Sequence, residues 1–165
     1  MNIFLPYEND VVASVQSLDD LRLNKQILEV KQLMMKSVDE FDGKKIFGYK
    51  NHPIYLHYKD NIGFLLLYGY VCCKEYEWRF GKTHRLYEYF EKCVMPLNAS
   101  DYPPYTPFYM EGSKGQPNYI RTTENVSELY QRKLINKWQN DKRPPKWTNR
   151  DVPEFYKKFL EGETQ

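Results

Sequence analysis

SLDDLRLNKQILEVKQLMMK, residues 17–36, decides the fold, because one segment joins a strong helical apolar period to a dense polar face. Leu21, Leu28 and Met35 recur every seven residues, and Leu23, Ile27, Val30 and Met34 interleave at three and four, the pattern of a helix docked on a core. On the opposite side Asp19, Arg22, Gln26 and Glu29 follow at spacings of three, four and three, so they share one stripe, with Lys25 beside it. Two readings fit. As ordinary helix ion pairs, Asp19 with Arg22 and Lys25 with Glu29 are worth about 0.2–0.5 kcal/mol each and form a solvated face. As a convergent set of carboxylates, amine and guanidinium, the same residues form a candidate site.

Working outward, Met1 to Tyr7 reads as an extended lead-in, and Asn9 or Asp10 caps a short helix before residue 17. Ser17 with Asp20 resembles a weak capping box. The opening helix should run out near Ser37, since Asp39 to Tyr49 has two glycines and no period. Asn51, His52 and Pro53 signal the next start. Ile54 to Phe80 then reads as one helix, or two joined near Asp60 to Gly63, and its nearly continuous GFLLLYGYVCC run marks the central buried helix. Gly81 closes it, and Thr83 opens an amphipathic helix to Cys93 that turns Leu86, Tyr89 or Phe90, and Cys93 inward. Thr122 or Thr123 caps a helix from Glu124 to Trp138. Residues 141–150 form a basic, proline-rich connection to a last short helix after Pro153. The expected fold is all-α: one compact helical bundle over residues 1–165, large enough to bury a core without disulfides.

Met95 to Tyr119 breaks this pattern, with five prolines among Tyr102, Tyr105, Phe108 and Tyr109. Such a stretch is neither regular helix nor central strand, and its large aromatics argue for an ordered lid or wall. It also reads as a loop that only seals one side of the core.

Net charge is only +2, but from Gln131 to Arg150 seven basic residues face the single Asp141. Arg132, Lys142, Arg143 and Lys146 are therefore candidates for contact with a phosphate backbone. Aromatic side chains reach 16% of the sequence, and rings beside basic groups suit bases and phosphates as well as protein interfaces. The three cysteines and three histidines show no metal-ligand spacing, so neither metal nor cofactor is expected. Adjacent Cys72 and Cys73 lie in the most apolar segment, where a thiol stays protonated and inert. Phosphate-loop, dinucleotide, serine-hydrolase and kinase signatures do not occur. With no signal peptide and no span of sufficient apolar length, a cytoplasmic protein is expected, with no membrane partner.

Several features in chain order resemble one family: FLPY at 4–7, LDDLRLNKQ at 18–26, NHP at 51–53 before a leucine-rich helix, a late arginine-bearing helix, and a basic tail with Trp147. Together they resemble the pyrimidine-dimer DNA glycosylases that include phage endonuclease V, nearest in pattern to the poorly characterised bacterial branch. The resemblance implies an all-α fold that binds double-stranded DNA, breaks the N-glycosidic bond of a damaged pyrimidine and nicks the abasic site. In that chemistry an N-terminal α-amine attacks the sugar and a glutamate on the first long helix assists. An α-amine titrates near 8 and is substantially unprotonated near neutral pH. Met1 is the corresponding amine here, and Arg22 corresponds to the arginine of the family's helix motif. Leu23 stands where the resemblance places the glutamate. Asp19, Asp20 or Glu29 would then supply the carboxylate, and Lys25 is an alternative amine. Tyr105, Phe108 and Tyr109 from the proline-rich loop, with Trp147, are candidate walls for a flipped base. The competing expectation, favoured by Leu23, is a non-catalytic accessory factor that keeps the scaffold and binds a host protein, in the host cytoplasm if phage-encoded.

Overall fold

The computed structural model describes residues 1–41, 51–98 and 104–162, with backbone alone over 35–41. Its elements are α1 (Val11–Ser17), α2 (Asp20–Phe41), α3 (Pro53–Tyr58), a 3-10 turn (Lys59–Asn61), α4 (Ile62–Phe80), α5 (Tyr87–Val94), β1 (Tyr109–Glu111), β2 (Ile120–Thr122), α6 (Val126–Asn140) and α7 (Glu154–Leu160). The fold is all-α, with one small antiparallel ribbon in which Met110 pairs with Arg121.

Helix α2 docks on α4 through Leu23, Ile27, Val30, Leu33 and Met34, all essentially inaccessible. Full burial of such side chains is worth about 1.5–3 kcal/mol each, which makes this seam the main determinant of the bundle. The two described members of the seven-residue series do not face inward. Leu21 is 63% exposed and Leu28 half-buried, because the inward stripe turns through Gln26 and Ile27. Helix α5 crosses the other side of α4, where Phe90 is buried against Gly69. A Cβ at Gly69 would lie 2.3 Å from the Phe90 ring, so only glycine permits this approach.

Local signals set most of the boundaries. Asp10 Oδ1 accepts from the Ala13 amide at 2.9 Å and caps α1. His52 Nδ1 accepts from Ile54 N at 3.1 Å ahead of Pro53, and left-handed Gly81 ends α4. Others differ from the sequence expectation. Ser17 ends α1, its hydroxyl donating to Ser14 O, and forms no capping box for α2. Helix α2 continues past Ser37 to Phe41, and the remaining residues of the expected 39–49 breaker lie outside the described residues. Of the two readings for 54–80, the broken one holds, with the 3-10 turn as the joint. Helix α5 begins at Tyr87 because His84 Nδ1 accepts from Leu86 N and organises a turn after Thr83. Left-handed Asn125 precedes α6, while Thr122 caps only the turn to Glu124.

The described part of the proline-rich stretch packs against the body. Tyr105 stacks on Phe64 at 3.9 Å between ring centroids, and Phe108 stacks on His57 at 4.4 Å. Tyr102 and Pro103 lie outside the described residues. No described helix is long and apolar enough to cross a membrane.

Candidate active site

Ile3, Phe4 and Leu5 are buried, so the lead-in lies in the core and draws residues 1 and 2 alongside α2. Gln26 holds it there. Its buried amide accepts from Phe4 N at 3.0 Å and donates to Asn2 O at 2.8 Å and to Glu29 Oε2 at 2.9 Å. Tyr68 of α4 closes the arrangement, its hydroxyl 2.9 Å from both Phe4 O and Gln26 Oε1. Asn2 is buried as well, with Oδ1 accepting from the Tyr130 hydroxyl at 3.2 Å.

The result is a cleft of about 340 Å³ lined by Met1, Asn2, Arg22, Lys25, Glu29, Lys133 and Lys137 among others. Among the described residues, Glu29 is the one carboxylate that lines it. Burial raises the Glu29 carboxyl above the ordinary glutamate range, opposed by the positive N-terminal amine, Lys25, a hydrogen bond to the Asn2 backbone, and Lys137. Lys25 Nζ is 3.9 Å from Glu29 Oε1 and mostly exposed, while Lys133 reaches in from α6, 3.8 Å from Glu111. Burial lowers the Lys133 ammonium, partly offset by Glu111. A partly desolvated carboxylate beside several amines is an arrangement suited to proton transfer and to an amine nucleophile.

The rest of the opening stripe has another task. Arg22 is buried and pairs with both carboxylate oxygens of Asp141, with Oδ1 at 2.8 Å, and with Asp19 at 3.3 Å. Asp19 in turn accepts from Trp138 Nε1 at 2.7 Å. Arg22 thus fastens the end of α6 to the start of α2. The Asp141 carboxyl is held below its usual range by the Arg22 guanidinium. Asp19 is 2% exposed and spent on this joint.

Leu23 is fully buried between α2 and α4, so the residue after Arg22 cannot present a side chain to the cleft. Glu29 lies seven positions beyond Arg22, two helical turns on, and returns to the same face. Glu29 is thus the carboxylate that α2 presents to the cleft.

Among the tail residues, Lys142, Arg143 and Lys146 are exposed, and the first two directly follow Asp141, the partner of Arg22. Arg132 is also exposed and paired with Glu128 on its own helix. The four aromatic candidates are engaged in the body. Tyr109 is buried with its hydroxyl on Glu111, Tyr105 donates to Glu8 O, and Phe108 is buried under His57. Trp147 donates to Ser17 O at 2.9 Å and packs on Trp138 and Tyr156.

The sequence reading missed Lys133 and Lys137 as cleft residues and Gln26 as the clamp. The lysine spacing of four on α6 was the available signal; nothing in the sequence showed which element α6 would face. Cys72 and Cys73 are buried and pushed up, Cys73 to about 12, as the apolar segment predicts. Among the described residues no group of His, Cys, Asp and Glu is arranged to hold a metal ion.

The protein is thus an all-α bundle whose N-terminal residue shares a cleft with a half-buried glutamate of its first long helix. Residues 1–94 match the family model for pyrimidine dimer DNA glycosylase, and the chain belongs to that family. The match contains Met1, Gln26 and Glu29 and ends before α6, so Lys133, Lys137 and the basic tail lie beyond it. No curated protein and no solved structure matches the chain.

Proposed function

We propose that this protein is a DNA glycosylase and abasic-site lyase that works from the Glu29 cleft. The observation that carries the reading is a lysine-rich cleft that Met1 shares with Glu29, the one carboxylate among its described lining residues, whose ionisation the N-terminal amine favours. The neutral α-amine of Met1 attacks C1′ of the damaged nucleotide, the C1′–N bond breaks, and the base departs with the bonding pair and takes up a proton. The secondary amine then opens the sugar to a protonated Schiff base, and loss of a C2′ proton expels the 3′ phosphate. Glu29, ionised, stabilises the cationic sugar and iminium and carries protons between amine, sugar and water. Lys25, Lys133 and Lys137 supply positive charge for the flanking phosphates, and Lys142, Arg143 and Lys146 extend it along the duplex.

The cleft also fits the cost of the reaction. A glycosylase must extrude its nucleotide, and about 300–1,000 Å³ is the usual volume of a small-ligand cleft. The tethered aromatic candidates leave base recognition to residues at the cleft mouth, of which Leu21 is the exposed apolar one. The reading of the chain as a non-catalytic accessory factor drew its support from Leu23; a carboxylate at Glu29 in the cleft supports the catalytic reading instead.

Borohydride trapping on abasic and ultraviolet-damaged duplex DNA tests the proposal. A covalent adduct that maps to the N-terminal peptide and disappears in Glu29→Gln is the expected result. An adduct on Lys25 or Lys133 would move the nucleophile, and no adduct with either DNA would overturn the reading.

A further inference from the structure

The Gln26 side chain has four hydrogen-bonding positions, two lone pairs on Oε1 and two protons on Nε2, and each has a partner from a different part of the cleft, the Tyr68 hydroxyl sharing its single proton between Gln26 Oε1 and Phe4 O. Oε1 takes the Phe4 amide at 3.0 Å and the Tyr68 hydroxyl at 2.9 Å; Nε2 gives its protons to Asn2 O at 2.8 Å and Glu29 Oε2 at 2.9 Å. The partners also fix which way the amide points. Phe4 N can only donate and Asn2 O can only accept, so a flipped amide would set donor against donor and acceptor against acceptor. The residue is 1% exposed, so these bonds are shielded from bulk solvent.

From this we infer that Gln26 is the positioning residue for catalysis, holding the N-terminal amine in register with Glu29. The inference rests on the proposed chemistry of the Glu29 cleft. Gln26 acts on residues 2 and 4 as a neighbouring strand would, taking one carbonyl and one amide from alternate positions, and so sets the path of the chain one peptide from the amine. Through Nε2 it also touches the carboxylate directly. One amide group therefore sets the amine and the carboxylate in a common frame, and Tyr68 locks that frame to α4.

Gln26→Met keeps the length and shape and removes all four bonds; Gln26→Glu keeps the acceptor oxygen and opposes Asn2 O and Glu29 with a second carboxyl. Two readouts apply. The first is the Glu29 carboxyl titration, followed by carbon NMR, which needs no activity. Loss of the Nε2 donor removes stabilisation of the anion, so Glu29 titrates higher in Gln26→Met than in the parent protein. An unchanged titration would overturn the inference. The second is single-turnover cleavage of abasic DNA by both variants. Displacement of the amine by about 1 Å costs on the order of 100-fold in kcat, with KM for DNA nearly unchanged. Equal loss in both variants through KM, with kcat retained, would also overturn it. Trapping of the parent protein separates the two proposals: if the parent forms no adduct, the glycosylase reading fails while the Glu29 titration still decides whether Gln26 governs the cleft.

Discussion

Two buried polar clusters flank the start of α2, and they handle charge in opposite ways. In the first, Arg79 of α4 is fully buried and gives Nε to Glu75 at 2.8 Å, one terminal nitrogen to Asp20 at 3.0 Å and the other to Gln16 O at 3.0 Å. Glu75 takes two further bonds from Arg150, and Asp20 takes the amide and hydroxyl of Thr148. Each charge there has several partners in the protein, and the product is a joint that clamps residues 146–150 onto α1, α2 and α4. In the second, Glu29 faces an excess of amines across an open cleft, and burial holds its carboxyl high. A saturated cluster stabilises; an unsaturated one is available for chemistry.

The sharpest way to break the comparison is to neutralise one carboxylate in the open cluster. Glu29→Gln keeps the acceptor for Gln26 Nε2 and removes only the charge. Turnover on abasic DNA should fall by about 10²–10⁴-fold, the usual contribution of a positioned acid or base, with no loss of thermal stability. Rate assays paired with thermal melts check this. A melt that drops along with the rate would place Glu29 in the same structural category as Glu75.

The converse test is Arg79→Met. Removing the central cation leaves Glu75 and Asp20 without their shared partner, and breaking a buried pair costs about 3–5 kcal/mol. For a domain of this size that lowers Tm by roughly 6–20 °C. Arg150 and Thr148 keep some compensation for the two carboxylates, so the lower half of the range is expected. The joint should loosen first at residues 146–150, which hydrogen exchange would detect as lost protection at the Thr148 amide.

The contrast between the clusters explains what could be read from residues 17–36 alone. The apolar seam of Leu23, Ile27, Val30 and Met34 was legible because packing follows the helical period. The polar stripe was also legible as a stripe, but its division was not. Asp19, Arg22 and Glu29 look alike in sequence, and the partners that separate them, Trp138, Asp141 and the N-terminus, come from elsewhere in the chain. Gln26 shows the same limit. A glutamine on a charged helix face reads as solvated, and only the threading of residues 2–4 beneath it makes it a buried clamp. Glu29 was legible as one of three candidate carboxylates, with Asp19 and Asp20, but not as the one that lines the cleft.

The tail offers a milder test of how far the open cluster's field extends. Lys142 and Arg143 are exposed and directly follow Asp141, which pairs with the cleft residue Arg22. Replacing both with glutamine should weaken DNA binding and make the slope of log affinity against log salt shallower by about 2, one phosphate contact for each residue. The fold should be untouched, since neither side chain contributes to the joint. An unchanged salt slope would confine the DNA surface to the cleft itself.

Lys25 gives the smallest effect and the finest resolution. Its side chain is 64% exposed and its 3.9 Å pairing with Glu29 is solvent-screened, so Lys25→Ala should cost only about 0.2–0.5 kcal/mol of stability. Its influence on Glu29 is more telling. Burial already raises that carboxyl, and Lys25 is among the charges that hold it down, so the substitution raises it further. For an acid with a raised folded value, the protonated form is the one the fold favours. Its contribution to stability is therefore complete below the unfolded glutamate value, about 4.3, and is lost as pH rises through the folded value. In the proposed mechanism catalysis runs the other way, because the ionised carboxylate is the active form there. The acid limb of the kcat profile should therefore start above the ordinary glutamate range in the parent protein and move to still higher pH in Lys25→Ala. If the limb stays in place, the carboxylate that titrates in the rate profile is not Glu29.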